Sequence, residues 1–80
     1  MISVKMTISP AQCRAARGLI KMSQTDLAEA SSISRSVLVD FENGHRVPNR
    51  NNLSAMQRVL EAAGVEFTDS SGVRLKKKRR

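Results

Sequence analysis

The stretch that most restricts what this chain can become is Ser23 to Gly44, SQTDLAEASSISRSVLVDFENG, because it starts and stops a helix twice in quick succession. Ser23 is an N-cap residue, and Asp26 three positions on puts negative charge where a first helical turn exposes its N–H groups. Leu27 and Ala28 face inward, the small Ala28 allowing two helices to cross closely, and the pattern ends by Ser31. Ser34 caps again, and Ile33 just before it can fill apolar space between the helices. Val37, Leu38 and Phe41 give the second helix a buried face, while Arg35, Ser36, Val39 and Asp40 occupy the other. Asn43-Gly44 ends it, with Gly44 free to take positive φ just past the last turn. Two helices of about two turns joined by three or four residues form a helix-turn-helix. Neither helix can bury its apolar face without the rest of the chain.

The flanking residues supply that cover. From Ile2 to Ser9 the residues alternate, with Ile2, Val4, Met6 and Ile8 opposite Ser3, Lys5, Thr7 and Ser9, which predicts a strand with one buried face. Ser9-Pro10-Ala11-Gln12 combines a cap, a proline at the first helical position and a glutamine able to reach back to the cap, so helix 1 starts there and runs to about Ile20. Its apolar positions are Cys13, Ala16 and Ile20, with Arg14 and Lys21 expected to point elsewhere. Asn49 caps helix 4, whose inward positions are Leu53, Met56, Leu60 and Ala63, and Gly64 stops it. Val65-Glu66-Phe67 and Val73-Arg74-Leu75 alternate around a segment of turn composition, which is a hairpin signal. Two strands alone are marginal, so the N-terminal strand, from the same chain or a second subunit, is the expected third member.

Charge and cysteine usage narrow the function classes. The 80 residues carry a formal net charge of +7, five units of it in Lys76 to Arg80, so the remainder carries only +2. A basic chain favours an anionic partner, either nucleic acid or an acidic membrane surface. A domain this small hides only about 60% of its unfolded surface, which argues against a large catalytic pocket. With Cys13 as the single cysteine, neither an internal disulfide nor a cysteine-rich zinc site is expected, and the thiol is read as a small packing group. No segment has the length of a signal peptide's apolar core or of a membrane span. The expectation is a soluble cytoplasmic protein without a cofactor or metal, and not an enzyme: there is one histidine, no activating pair of carboxylates and no phosphate-cradling glycine loop.

Residues 11–64 resemble the Cro/C1-type (XRE family) DNA-binding domain of phage repressors and bacterial regulators. The likeness lies in Arg17, in Ser23-Gln24 followed by Asp26-Leu27-Ala28, in Ser34 with Leu38 and Phe41-Glu42-Asn43-Gly44, and in Pro48, Leu53 and Leu60. It implies a mainly α fold: a compact four-helix lambda-repressor-like helix-turn-helix domain over residues 1–75, with its core at 9–64, a short N-terminal strand and a C-terminal β-hairpin. Residues 76–80 are expected to form a disordered basic tail. The resemblance also implies that Arg17 pairs with Glu42 as a structural ion pair, although by charge alone Arg17 could be a DNA ligand. It further implies a homodimer on a two-fold-related site. The chain departs from the family in helix 3, at Val37, Val39 and Asp40, and in the turn, with Ser32 where glycine is usual.

The implied function is a sequence-specific double-stranded DNA-binding transcriptional regulator, with helix 3 in the major groove. Candidate base-reading residues are Arg35, Ser36, Val39 and Asp40. A guanidinium can bond O6 and N7 of guanine together, and a carboxylate can accept from cytosine N4. Val39 and Asp40 give the exposed half of the helix fewer donors than its first turn. Candidate phosphate contacts are Ser23 and Gln24 at a helix N-terminus, Ser34, then Asn43, His45 and Arg46 where the family commonly touches the backbone, and the tail residues Lys76, Lys77, Lys78, Arg79 and Arg80. For Arg35 the alternative is a solvated surface arginine, for Ser34 a pure cap, and for the tail a solubilising end. His45 lacks a second ligand for a metal. From a different class, the rival reading is an antitoxin-like protein-interaction module that caps a protein partner and also regulates its own operon. The strands are the expected dimer contacts, and no membrane partner is expected.

Overall fold

The structure, a computed structural model, describes residues 8–68 and 72–76. Four helices come first: α1 (Pro10–Ile20), α2 (Gln24–Ser31), α3 (Arg35–Glu42) and α4 (Arg50–Ala62). An antiparallel hairpin of β1 (Val65–Phe67) and β2 (Val73–Leu75) follows. Of the strand expected from Ile2 to Ser9 only Ile8 and Ser9 are described, and neither is in a strand, Ser9 being the cap of α1; the rest of it, and the expected tail beyond Lys76, lie outside the described residues.

Each helix begins at a residue whose side-chain oxygen accepts the N–H three positions on, relieving one of the four donors that a helix start leaves unpaired. The bonds are Gln12 N–H to Ser9 at 3.0 Å, Asp26 N–H to Ser23 at 3.0 Å, Val37 N–H to Ser34 at 3.2 Å and Asn52 N–H to Asn49 at 2.9 Å. At α1 the box closes, because Gln12 Oε1 accepts the Ser9 N–H at 2.9 Å. The ends are less ordinary. Lys21 after α1 and Ser32 after α2 take left-handed backbone with φ of 57° and 60°, a conformation that favours glycine. After α3 and α4 it is glycine that turns the chain, Gly44 at φ 82° and Gly64 at φ 106°.

One apolar core joins these elements: Ile8, Cys13, Ala16, Leu27, Ala28, Leu38, Phe41, Leu53, Met56, Leu60 and Val65. Ile20, Met22, Ile33, Val59, Phe67 and Val73 pack around it. α2 lies against both α3 and α4, α1 against α3 and the hairpin, and α4 against β1. Two expected core positions fall elsewhere. Ala63 is exposed because α4 stops one residue earlier and Ala63 is its C-cap, and Val37 is only half-buried, since Leu38 and Phe41 take the inward direction of this two-turn helix.

The hairpin pairs Val65 with Leu75, Glu66 with Arg74 and Phe67 with Val73. Thr68 N–H donates to the Gly72 carbonyl at 3.0 Å, and Lys76 N–H to the Gly64 carbonyl at 2.7 Å. Gly72 has a steric reason to be glycine: a Cβ there would sit 2.9 Å from Thr68 Oγ1, which accepts the Gly72 N–H at 3.0 Å.

Candidate nucleic-acid interface

The last residue of α3 is a carboxylate with 1% of its side chain exposed. An ionised carboxylate survives such burial only if its lone pairs are filled, and Glu42 receives four donors from two other helices. Arg17 grips it as a fork, Nη2 to Oε1 at 2.7 Å and Nε to Oε2 at 2.7 Å. Gln24 Nε2 donates to Oε1 at 2.9 Å, and the Cys13 thiol to Oε2 at 3.1 Å. Arg17 Nη1 also bonds the Met22 carbonyl at 3.1 Å, and Arg14 Nη1 bonds the Glu42 main-chain carbonyl. α1 therefore holds the end of α3 by side chain and main chain, and the start of α2 is fastened to the same carboxylate.

The pKa directions follow from these contacts. Burial pushes the Glu42 carboxyl up, but the hydrogen bonds from Arg17, then Gln24 and Cys13, with the guanidinium charge, outweigh it and hold the group below its ordinary value. Arg17 is raised, its hydrogen bond to Glu42 outweighing the opposing cost of burial. Burial first, then the adjacent carboxylate, push the Cys13 thiol up, so it stays protonated at neutral pH.

Around this anchor the surface side chains fall into two groups. Ser23, Gln24 and Asn43 cluster where the start of α2 meets the end of α3. The Ser23 oxygen caps Asp26 while its O–H remains a donor, and Gln24, with one amide hydrogen on Glu42, keeps its second. The N–H groups of Gln24 and Thr25, in the first turn, have no intrahelical acceptor. Beyond Asn43, His45 N–H bonds the Asp40 carbonyl at 2.8 Å and Pro48 is buried, so the exposed His45, Arg46 and Val47 project from a loop pinned at both ends.

The second group sits at the opposite end of α3, about 10 Å away along an eight-residue helix. Ser34, Arg35 and Ser36 are all exposed there, and the Ser34 and Ser36 hydroxyls lie 3.4 Å apart. Val39 and Asp40 are half-buried further along, where α3 settles against its neighbours. Lys76 is exposed at the end of the hairpin, with its N–H tied to Gly64. Lys77, Lys78, Arg79 and Arg80 are outside the described residues.

Four roles escaped the sequence reading. Arg14 does not simply point into solvent, and Cys13 is a donor as well as a packing group. Gln24 is committed in part to Glu42, and Gln12, beyond its capping work, sends Nε2 to the Gly72 carbonyl at 3.1 Å. A signal existed for Cys13, which lies one helical turn before Arg17 and so on the same face. For Gln12 and Arg14 there was none, because their acceptors are main-chain carbonyls far along the chain.

Among the described residues, no group of three or more His, Cys, Asp or Glu side chains is placed to hold a metal ion, and no helix is long and apolar enough to cross a membrane. A search of curated proteins found no match. A family model described as helix-turn-helix matches residues 14–67, from α1 through β1 and so across both groups of surface side chains. With its four helices, its two short helices packed together over a buried Ala28 and this match over most of its length, the chain belongs to the Cro/C1-type (XRE) helix-turn-helix family of DNA-binding transcriptional regulators.

Proposed function

We propose that the protein reads a specific operator in double-stranded DNA as a homodimer, with the first turn of α3 entering the major groove of each half-site. The observation that carries this reading is the arrangement of donors at the two ends of α3. Free donors at Ser23, Gln24 and Asn43 stand at one end, where they can grip phosphates. Arg35 and Ser36 stand exposed at the other, where base edges would be met. Phosphate contacts fix register and base contacts supply sequence preference, so the spacing of the two groups suits one helix doing both.

In this reading Arg35 is the principal reader, by bidentate bonding to guanine, and Ser36 assists it. Val39 and Asp40, half-buried further along α3, contribute apolar contact and a restriction on the opposing base rather than affinity. Ser34, His45, Arg46 and the basic residues from Lys76 to Arg80 add backbone contacts. Two copies about one helical turn of DNA apart, roughly 34 Å, would present two α3 helices on one face of the duplex.

Selection of bound sequences from random duplex DNA, with Arg35→Ala in parallel, tests the reading. The wild type is expected to enrich one two-fold-related site, and the variant to lose preference at a guanine position by about 1–3 kcal/mol. No enrichment by the wild type would remove specific recognition, and an unchanged site for the variant would remove Arg35 as the reader. Sedimentation of the protein with and without the selected duplex decides the stoichiometry.

A further inference from the structure

Glu42 gathers a second guanidinium besides that of Arg17, and this one is not neutralised. Arg14 donates through Nη1 to the Glu42 main-chain carbonyl, one of those that a helix end leaves without an intrahelical donor, where a cation is favoured. A guanidinium has five N–H donors in a planar fork, so this contact leaves others for a second acceptor. The Glu42 carboxylate is not that acceptor, because Arg17, Gln24 and Cys13 occupy both of its oxygens. Among the described residues the ion pairs are Arg17–Glu42 and Arg74–Glu66. Arg14 belongs to neither, and it is exposed.

The place of this charge in the fold gives it a use. Asn43 follows the bonded carbonyl directly, and Gln24 holds the carboxylate of the same residue. Arg14 therefore stands with Ser23, Gln24 and Asn43 where the start of α2 meets the end of α3. Those three side chains are neutral, and the adjacent Arg17 is both paired and only 19% exposed. Hydroxyls and amides bond a phosphate without neutralising it, whereas a guanidinium adds opposite charge and a stronger hydrogen bond. Arg46 also projects near this end, but from the loop, three residues past Asn43. Arg14 is the unpaired cation tied to the end of α3 itself.

From this arrangement we infer that Arg14 binds a DNA phosphate, held in place by the Glu42 carbonyl and adding a positive charge to the neutral grip of Ser23, Gln24 and Asn43. The inference rests on the proposed reading, with α3 in the major groove, and brings α1 into the contact surface. Arginine suits the double task better than lysine, since one arm of a planar fork can keep the carbonyl while the rest meets the phosphate. Because α1 also holds α3 through Arg17, a phosphate bound by Arg14 fixes the duplex against the frame that carries Arg35.

The salt dependence of binding by the full chain tests this, on the selected site and on a duplex of mixed sequence. Each neutralised phosphate contributes about 0.9 to the slope of log K against log salt. Arg14→Gln should make the slope less steep by about that amount on both duplexes, so the wild type's advantage shrinks about threefold between roughly 50 and 200 mM salt. Arg14→Lys, which keeps the charge, should keep the slope. Arg58→Gln, at an exposed position late in α4, removes the same charge elsewhere and should leave the slope unchanged. If Arg14 only caps α3, Arg14→Gln should instead lower the melting temperature and weaken binding equally at every salt concentration. That result, a slope altered as much by Arg14→Lys, or a slope altered as much by Arg58→Gln would each overturn the inference. A wild type without sequence preference would sink the operator reading and leave this test standing on the mixed-sequence duplex, whereas no binding to either duplex would overturn both.

Discussion

Glu42 shows how much of this small fold rests on one ionised side chain. Four donors from Cys13, Arg17 and Gln24 converge on its two oxygens. Removing a partner from a buried pair leaves an uncompensated charge, so Arg17→Met should lower unfolding stability by about 3 kcal/mol, measured in denaturant. A pH effect follows with a definite sign. Because the folded carboxyl is held below its ordinary value, the unfolded chain binds more protons just under that value. The stabilisation is complete above the unfolded pKa, about 4.3, and is lost as pH falls through the folded one. Thermal unfolding between about pH 6 and pH 3 should show this loss, and Glu42→Gln, though less stable at neutral pH, should show a shallower one. The Arg17–Glu42 pairing is implied by the family pattern. The thiol and the amide that complete the set are not, because their roles depend on where three helices meet rather than on spacing along any one.

At the level of elements, the sequence is most informative about beginnings. Ser9, Ser23, Ser34 and Asn49 each sit one residue before a helix, and each spacing of three between cap and paired N–H is visible in the linear order. Ends are harder to read, because left-handed closure by Lys21 carries no sequence signal, and α4 stops before Ala63 although the apolar period continues. Ser32 is the informative exception. It occupies the turn between α2 and α3 at φ 60°, where a side chain costs roughly 1–2 kcal/mol. Ser32→Gly should accordingly stabilise the protein by up to about 1 kcal/mol, since glycine's added freedom in the unfolded chain offsets part of the relief. In a domain of this size that is a rise of several degrees, about 4–8 °C, in the melting temperature. A fall in melting temperature would mean that the Ser32 side chain contributes something this turn geometry does not show.

Across the whole molecule, charge and distance together separate the parts of the proposed interface. His45 and Arg46 precede the start of α4, while Lys76 is tied to Gly64 just past its end. Thirteen helical residues are about 20 Å long. Five extended residues reach at most about 18 Å, so the basic run from Lys76 would engage phosphates other than those near the loop. Neutralising Lys77, Lys78, Arg79 and Arg80 to glutamine should make the slope of log K against log salt less steep by up to about 3.6, and an unchanged slope would leave the run as a solubilising end. The Cys13 thiol, fully buried and held protonated against Glu42, has a practical corollary. Alkylating reagents attack thiolates at accessible sites, so the chain's one native cysteine should stay silent in the folded protein. A cysteine placed at Ser36, His45 or Arg46 would then be the sole reactive position, and the shielding of each by a duplex would chart the contact surface side chain by side chain.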